Sequence, residues 1–277
     1  MKKKLKNTLL QQVTVHTRRT LSVGLGLIDS LIYQKSPRVF ILCYHSFSND
    51  SWLHTVSLKN LDRQLGFLKE NYKIITLSDA EKIMQGTKKN KENAVVITID
   101  DGYEDVLDAL PIFEKYNIKP ALFVLGDREK PNRKELGNQK PFLKSKDIVL
   151  LKKRNWIIGS HSLTHGNLSL ITEGEIEKEI SESKVKLENE ISEKIKYFSY
   201  PRGKYNDFCL KTVKKAGYTL GLSMDDGIID SQTNTYAVPR IGVNNSHSFA
   251  EFRYLSSPSL VFFRKYMKKT NIGRLFE

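Results

Sequence analysis

Two carboxylates and two imidazoles carry the chemistry that this chain can do. Asp100 and Asp101 close the apolar, β-branched run Val95 to Ile99 and are followed at once by Gly102; His161 and His165 follow a second apolar run, Trp156 to Ser160. Adjacent carboxylates at the end of a buried strand are costly unless a cation faces them. The carboxyl ends of strands are also where α/β folds place their sites. Two imidazoles and a carboxylate form a ligand set suited to zinc, with one position left open for water. Each half has a plainer reading, because Asp-Asp-Gly is commonly a turn with solvated carboxylates, and two histidines four apart are commonly unrelated surface residues. Their coincidence at two strand ends favours a shared divalent ion.

The elements that must position these groups can be read from hydrophobic period and end signals. Arg38 to Tyr44 is a first central strand that ends at His45, a place matching that of Asp100 and His161. Leu58, Leu61, Leu65 and Leu68 recur at helical spacing, a short run follows at Lys73 to Thr76, and a helix begins near Ser78. Beyond the paired aspartates come a helix over Val106 to Tyr116, a strand over Ala121 to Leu125 and a polar stretch over 126–144 suited to a rim beside a site. A helix over Ser145 to Arg154 feeds the strand that delivers His161. Thr172 and Glu175 have capping-box spacing ahead of a long charged helix. Ile195 to Tyr200, Tyr218 to Met224 and Val238 to Val243 are the last strands, with a helix over Phe208 to Ala216 closed by Gly217. Alternating strands and helices with no internal repeat predict one parallel sheet, barrel-like or doubly wound, with the polar signals on one face.

The 277 residues, 39% of them apolar, suffice for a sizeable core. Cys43 and Cys209 are the only cysteines, which argues against a disulfide framework. The net charge of +14 gathers at the ends: residues 1–35 carry +6 and residues 258–277 carry +4. Basic ends with interleaved apolar residues suit an anionic membrane surface or an acidic glycan, or serve as a solubilising charge run. Aromatic stacking motifs on a platform are missing, so nucleic acid is not expected as a partner. Leu21 to Tyr33 is too short for a spanning helix, contains Asp29 and has no convincing cleavage site, which predicts an amphipathic helix on the domain or on a membrane. The expected location is cytoplasmic or peripheral to a membrane.

In order along the chain, Thr98-Ile99-Asp100-Asp101-Gly102, His161-Ser162-Leu163-Thr164-His165 and Tyr200-Pro201-Arg202-Gly203 resemble the first three motifs of the polysaccharide deacetylases with the NodB-homology domain, carbohydrate esterase family 4. Tyr44-His45, Leu110-Pro111-Ile112-Phe113 and Gly159-Ser160 agree with that resemblance, which covers residues 38–255 between a basic, partly amphipathic segment (1–37) and a basic tail (256–277). The resemblance implies an α/β fold, a distorted (β/α) barrel with fewer than eight regular repeats, that deacetylates an N-acetylated glycan with a divalent metal, Zn2+ first. It makes Asp101, His161 and His165 the metal ligands and Asp100 the general base. It places the amide of Arg202, after Pro201, at the oxyanion, with His45 also at the substrate.

With two departures from the family pattern, the chain resembles the divergent members that act on exopolysaccharides. The Arg that opens the third motif is replaced by Ser199, and Arg240, in Val238-Pro239-Arg240-Ile241, is the candidate to orient the base in its place. The Leu-His motif that supplies the general acid has no match; His247 lies in a polar segment and His45 is better placed. Asp225-Asp226 reads as a turn. Alternatives to a polymer deacetylase are a metal-dependent amidohydrolase on a non-polymeric or lipid-linked substrate and a non-catalytic glycan-binding relative. Retention of Asp100 weighs against the last, since a binding module has no use for a base beside a metal site.

Overall fold

The computed structural model describes residues 17–31 and 37–267. The basic residues at 1–16 and 268–277 therefore lie outside the described part. The elements are a helix over 17–31 (α1), β1 (Val39–Tyr44), α2 (Leu58–Asn71), β2 (Lys73–Ile74), α3 (Leu77–Met84), β3 (Ala94–Ile99), α4 (Val106–Lys115) and β4 (Ala121–Val124). They continue with α5 (Arg133–Leu136), α6 (Ser145–Lys153), β5 (Ile157–Ser160), α7 (Glu173–Ile191), β6 (Tyr197–Ser199), α8 (Asp207–Lys215), β7 (Leu220–Leu222), β8 (Ile241–Gly242), α9 (Phe249–Phe252) and α10 (Pro258–Met267).

All strand pairings in the sheet are parallel, in the order β7-β6-β5-β4-β3-β1-β8. One edge of β3 is shared, by β2 at Ala94 and Val95 and by β4 at Thr98 and Ile99. The segment that carries β8 joins both sheet edges: Val238 bridges to Leu222 of β7, and three residues later Ile241 pairs with Leu42 of β1. This curls the sheet into a distorted (β/α) barrel.

Strand residues alternate between two clusters, as the period of two requires. Phe40, Leu42, Val95, Ile97, Leu122 and Val124 face the outer helices. Val39, Ile41, Ala94, Val96, Ala121, Phe123, Tyr197 and Leu220 face inward, where Leu77, Ala80 and Met84 of α3 join them. Because both faces are covered, the strands read as unbroken apolar runs in the sequence. Most strands are shorter than their apolar runs, since pairing stops where the chain leaves for the rim: β6 keeps three residues of the run at 195–200 and β8 two of that at 238–243. The helix ends follow side-chain chemistry. Ser57, Thr76 and Asn206 accept from the first-turn amides of α2, α3 and α8, and Thr172 with Glu175 forms the capping box of α7.

No helix among the described residues is long and apolar enough to cross a membrane. Helix α1 lies against α9 and α10. The Arg18 side chain donates to Glu251 and to the Ser246 carbonyl, and Asp29 accepts from the Ser259 amide and hydroxyl at the start of α10.

At Gly159 a Cβ would fall 2.5 Å from the Phe123 ring and 3.1 Å from the Tyr197 carbonyl oxygen. Gly159→Ala should therefore destabilise the barrel by about 1–3 kcal/mol, the usual cost of overpacking. A denaturant midpoint equal to that of the parent chain would show that the inner layer is not packed this closely.

Candidate active site

The inward series of each strand, continued one step past the apolar layer, supplies the site. Ala94, Val96 and Thr98 lead to Asp100, Ile157 and Gly159 lead to His161, Tyr197 leads to Ser199, and Val238 leads to Arg240. Strand geometry therefore brings four polar side chains from four segments together at the carboxyl end of the barrel, all within 3% of full burial.

Asp100 is held from three sides. Arg240 grips it as a fork, Nη1 donating to Oδ1 at 2.8 Å and Nη2 to Oδ2 at 2.6 Å. Ser199 Oγ donates to Oδ2 at 2.9 Å and accepts from Arg240 Nη2 at 2.7 Å. The rest of the guanidinium is also occupied, with Nε on the Ser223 carbonyl and Nη1 on Thr98 Oγ1. Burial opposes ionisation of Asp100, yet the guanidinium overcomes it and holds the carboxyl well below the usual carboxylate range. Arg240 stays protonated despite complete burial. Ser199 is thus more than the loss of an Arg: its small side chain leaves room for the guanidinium and bridges the ion pair.

Asp101, His161 and His165 converge beside this pair. Asp101 Oδ1 lies 3.2 Å from His161 Nε2 and 3.4 Å from His165 Nε2. His161 Nδ1 is 2.9 Å from the Ser199 carbonyl oxygen. A carbonyl only accepts, so the ring proton sits on Nδ1 and Nε2 of the neutral ring presents a bare lone pair. That lone pair faces a buried carboxylate oxygen for which no hydrogen-bond partner is found. Two acceptors this close require a cation between them or a second proton on the ring. Without a cation, Asp100 and Asp101 prevail over burial and push the His161 pKa up, which is the same demand met by a proton. The donor separations match the edge of a tetrahedron around an ion with bonds of about 2.0–2.1 Å, close to ~3.3 Å. The residues therefore fit a divalent ion. A second group, Cys43, His45 and Asp100, also clusters within 4.8 Å, but burial keeps the Cys43 thiol protonated and Arg240 already engages Asp100.

The loop bearing the histidines is built for this convergence. Asp101, Ser162 and His165 adopt positive φ of 70°, 65° and 69°, a conformation that non-glycine residues hold only when their surroundings enforce it. The enforcement is visible: Glu179 of α7 accepts from the amides of Leu163 and Thr164 at 3.0 and 2.9 Å and from the Thr164 hydroxyl at 2.5 Å. Ser162 Oγ accepts from the His165 amide.

Asp101 and His165 open onto a cleft of ≈ 1370 Å³ that His45, His54, Trp52, Glu135, Arg202 and Phe262 also line. Arg202 sits in a turn closed by Gly203 N–H to the Tyr200 carbonyl, with φ of 56°, and its guanidinium meets Glu135 at 2.7 Å. Pro201, buried, opens that turn. The polar stretch at 126–144 does form the rim, with α5 inside it. It is anchored by Phe142 stacked on Tyr103, by Asn138 donating to the Tyr103 hydroxyl and by Lys140 between Asp50 and Asp105. His45 is half-buried, and burial pushes its pKa down to about 4, so the ring is neutral at physiological pH. His54 and Trp52, which nothing in the sequence singles out, stand 4.9 and 6.5 Å from His45 and 5.1 Å from each other, ring to ring. His247 also lines this cleft, toward α1 and α9, where its Nδ1 accepts from the Asn244 amide. Asp225 accepts from Tyr205 and Ser223, and Asp226 pairs with Arg264.

Removing the guanidinium in Arg240→Met should cost about 3–5 kcal/mol at neutral pH, the penalty for leaving one half of a buried pair. A carboxyl with a depressed folded pKa contributes stability above its unfolded value, ~3.9, and loses it as pH falls through the folded value. The gap between parent and variant should therefore be full at neutral pH and narrow on acidification, as measured by denaturation across pH. A gap that does not change with pH would mean that Arg240 stabilises by packing alone.

Similarity to known proteins runs through these same residues. The sequence profile of the family described as polysaccharide deacetylase matches residues 87–221, a span holding the aspartates, the histidines and the Arg202 turn. A Bacillus subtilis (strain 168) protein described as a polysaccharide deacetylase, YxkH, is 30% identical over 221 residues, which is 79% of this chain and 76% of the relative. The poly-beta-1,6-N-acetyl-D-glucosamine N-deacetylase of Staphylococcus aureus (strain MRSA252) is 26% identical over 212 residues, 73% of this chain and 72% of its own. In fold, IcaB from Ammonifex degensii superposes with a TM-score of 0.71 at 19% identity, over 82% of this chain and 98% of that one. The Streptococcus pyogenes deacetylase PplD gives 0.68 at 22% identity, over 80% and 99%. With its barrel, its ordered motifs and these relatives, the chain belongs to the polysaccharide deacetylase family, hydrolases of carbon–nitrogen bonds other than peptide bonds.

Proposed function

We propose that the chain is a divalent-metal-dependent N-deacetylase of an N-acetylhexosamine polymer. The observation that carries this reading is the bare Nε2 lone pair of His161 aimed at the unpartnered Oδ1 of Asp101, an arrangement that a cation would satisfy. The polymeric substrate is favoured by the open cleft and by the S. aureus relative, named for a β-1,6-linked N-acetylglucosamine polymer.

Asp101, His161 and His165 would hold the ion, Zn2+ first given two imidazoles and a carboxylate. When bound, the ion polarises the acetamide carbonyl and acidifies the attacking water. Asp100 takes the proton from that water. Its Oδ2 already accepts two hydrogen bonds and its Oδ1 one, so Oδ1 keeps an acceptor position for the transfer. Arg240 and Ser199 keep the carboxylate ionised and aimed; they position the base rather than touch the substrate. The amide of Arg202, a cleft-lining residue in the left-handed turn after Pro201, would donate to the carbonyl oxygen as charge develops there. Neutral His45 offers a hydrogen bond to the sugar at the cleft wall. Cleavage of the carbon–nitrogen bond then leaves acetate and a free amine, which takes the proton that Asp100 had accepted from the water and so returns Asp100 to its carboxylate form.

Asp100→Asn should bind one equivalent of metal as the parent does and lose about 10²–10⁴-fold in acetate release, the usual cost of removing a general base. The assay compares polymers of N-acetylglucosamine, peptidoglycan fragments and lipid-linked sugars, with and without chelator. Full turnover in the variant, or turnover indifferent to chelator, would reject the reading. Glu179→Gln should separate loop positioning from chemistry. A Gln side chain cannot accept from all three Glu179 donors, so the histidine loop loosens and metal affinity should drop about ten- to a hundredfold, as when other supports of metal ligands are lost. Unchanged affinity in a competition titration would remove Glu179 from the account.

A further inference from the structure

Helix α1 is turned inside out. A helix lying on a domain ordinarily buries its apolar stripe, but α1 buries Arg18, Ser22, Gly26 and Asp29, spaced at helical intervals, and leaves Leu27, Ile28 and Leu31 exposed, the last at 78%. The inward face is committed to specific partners. Arg18 and Arg19 meet Glu251, Gly26 is backed by the Tyr254 ring, and Asp29 engages Ser257 and Ser259 at the start of α10. Helix α10 buries apolar Leu260 and Val261, yet it too leaves large apolar side chains outward, with Phe262 73% and Tyr266 61% exposed one turn apart. Five of the nine large apolar side chains exposed among the described residues thus belong to these two helices, which Asp29 fastens together.

We propose that the outer faces of α1 and α10 form a docking surface for an anionic lipid bilayer. Large apolar side chains held outward gain nothing in water, whereas shallow insertion at a lipid interface buries them. Charge selects that occupant. Both helices lie in basic stretches of the sequence, +6 over residues 1–35 and +4 over residues 258–277, which is the pairing of apolar anchor and cationic attraction that peripheral binding requires. Position agrees as well, because Pro258, Val261, Phe262 and Lys265 of α10 line the same cleft as Asp101 and His165. A bilayer seated on α10 would place the cleft mouth at the membrane, where a glycan chain emerging from the surface enters it. The lipid surface is inferred independently of the proposed deacetylation, and only the orientation of the cleft rests on that reading.

The test is sedimentation of the full chain with vesicles of phosphatidylcholine alone or mixed with phosphatidylglycerol, at low and high salt. The chain should sediment with the anionic vesicles, hardly with the neutral ones, and less in high salt. The double variant Ile28→Ser, Leu31→Ser should partition about tenfold more weakly, while acetate release from a soluble acetylated oligosaccharide stays at the parent rate, since neither residue lines the cleft. Failure of the parent to bind anionic vesicles, or undiminished binding by the variant, would overturn the proposal. So would a dimer in solution that the variant dissociates, because the face would then join two copies of this chain. A parent that binds vesicles yet releases no acetate would leave the docking surface standing and reject the deacetylase reading alone.

Discussion

The structure depends on one buried ion pair, Arg240 with Asp100. A guanidinium that is 0% exposed and a carboxylate that is 2% exposed can coexist only because each donor and acceptor between them is matched. The pair also bears on topology. Arg240 stands between Val238, which bridges to β7, and Ile241, which pairs with β1. The guanidinium that grips Asp100 is therefore carried on the segment that closes the barrel. Its Nε on the Ser223 carbonyl and Nη1 on Thr98 tie the same side chain to the ends of β7 and β3.

Around that pair the site divides into two layers with opposite needs. The inner layer of Asp100, Arg240, Ser199 and Thr98 is electrically closed. The next layer, Asp101, His161 and His165, has excess lone pairs that a cation or a second proton on His161 would satisfy. The two share Ser199, whose hydroxyl bridges Asp100 and Arg240 while its carbonyl fixes the His161 tautomer. One residue thus couples the orientation of the Asp100 carboxylate to the lone pair of a metal-ligand candidate, which is the kind of support that ligating imidazoles generally require.

The parts legible in the sequence are those where local chemistry and strand period coincide. The runs before Asp100 and His161 are buried on both faces, so they stand out as β-branched blocks, and the residues just after them must lie at the rim. Arg240 can be picked out because a missing partner at Ser199 leaves a carboxylate without a counter-charge. Ser199 itself reads in the sequence only as a vacancy, since a hydroxyl's ability to bridge depends on a strand 41 residues away. Glu179 lies in a long charged helix that reads as scaffold. Its inward turn onto the histidine loop is a tertiary fact, as are the rings of Trp52 and His54. The orientation of α1 is equally hidden, because the pattern fixes which residues share a face but not which face the domain takes.

The central claim is that one divalent ion sits between Asp101, His161 and His165. Zinc-edge X-ray absorption of the protein loaded with one equivalent tests it most directly, since it reads ligand type and distance without reference to turnover. The account predicts a shell of nitrogen and oxygen at about 2.0–2.2 Å, with the outer scattering of two imidazole rings. A sulfur shell at about 2.3 Å would place the ion at Cys43 and His45 instead. That result, or a spectrum lacking two imidazoles, would contradict the account.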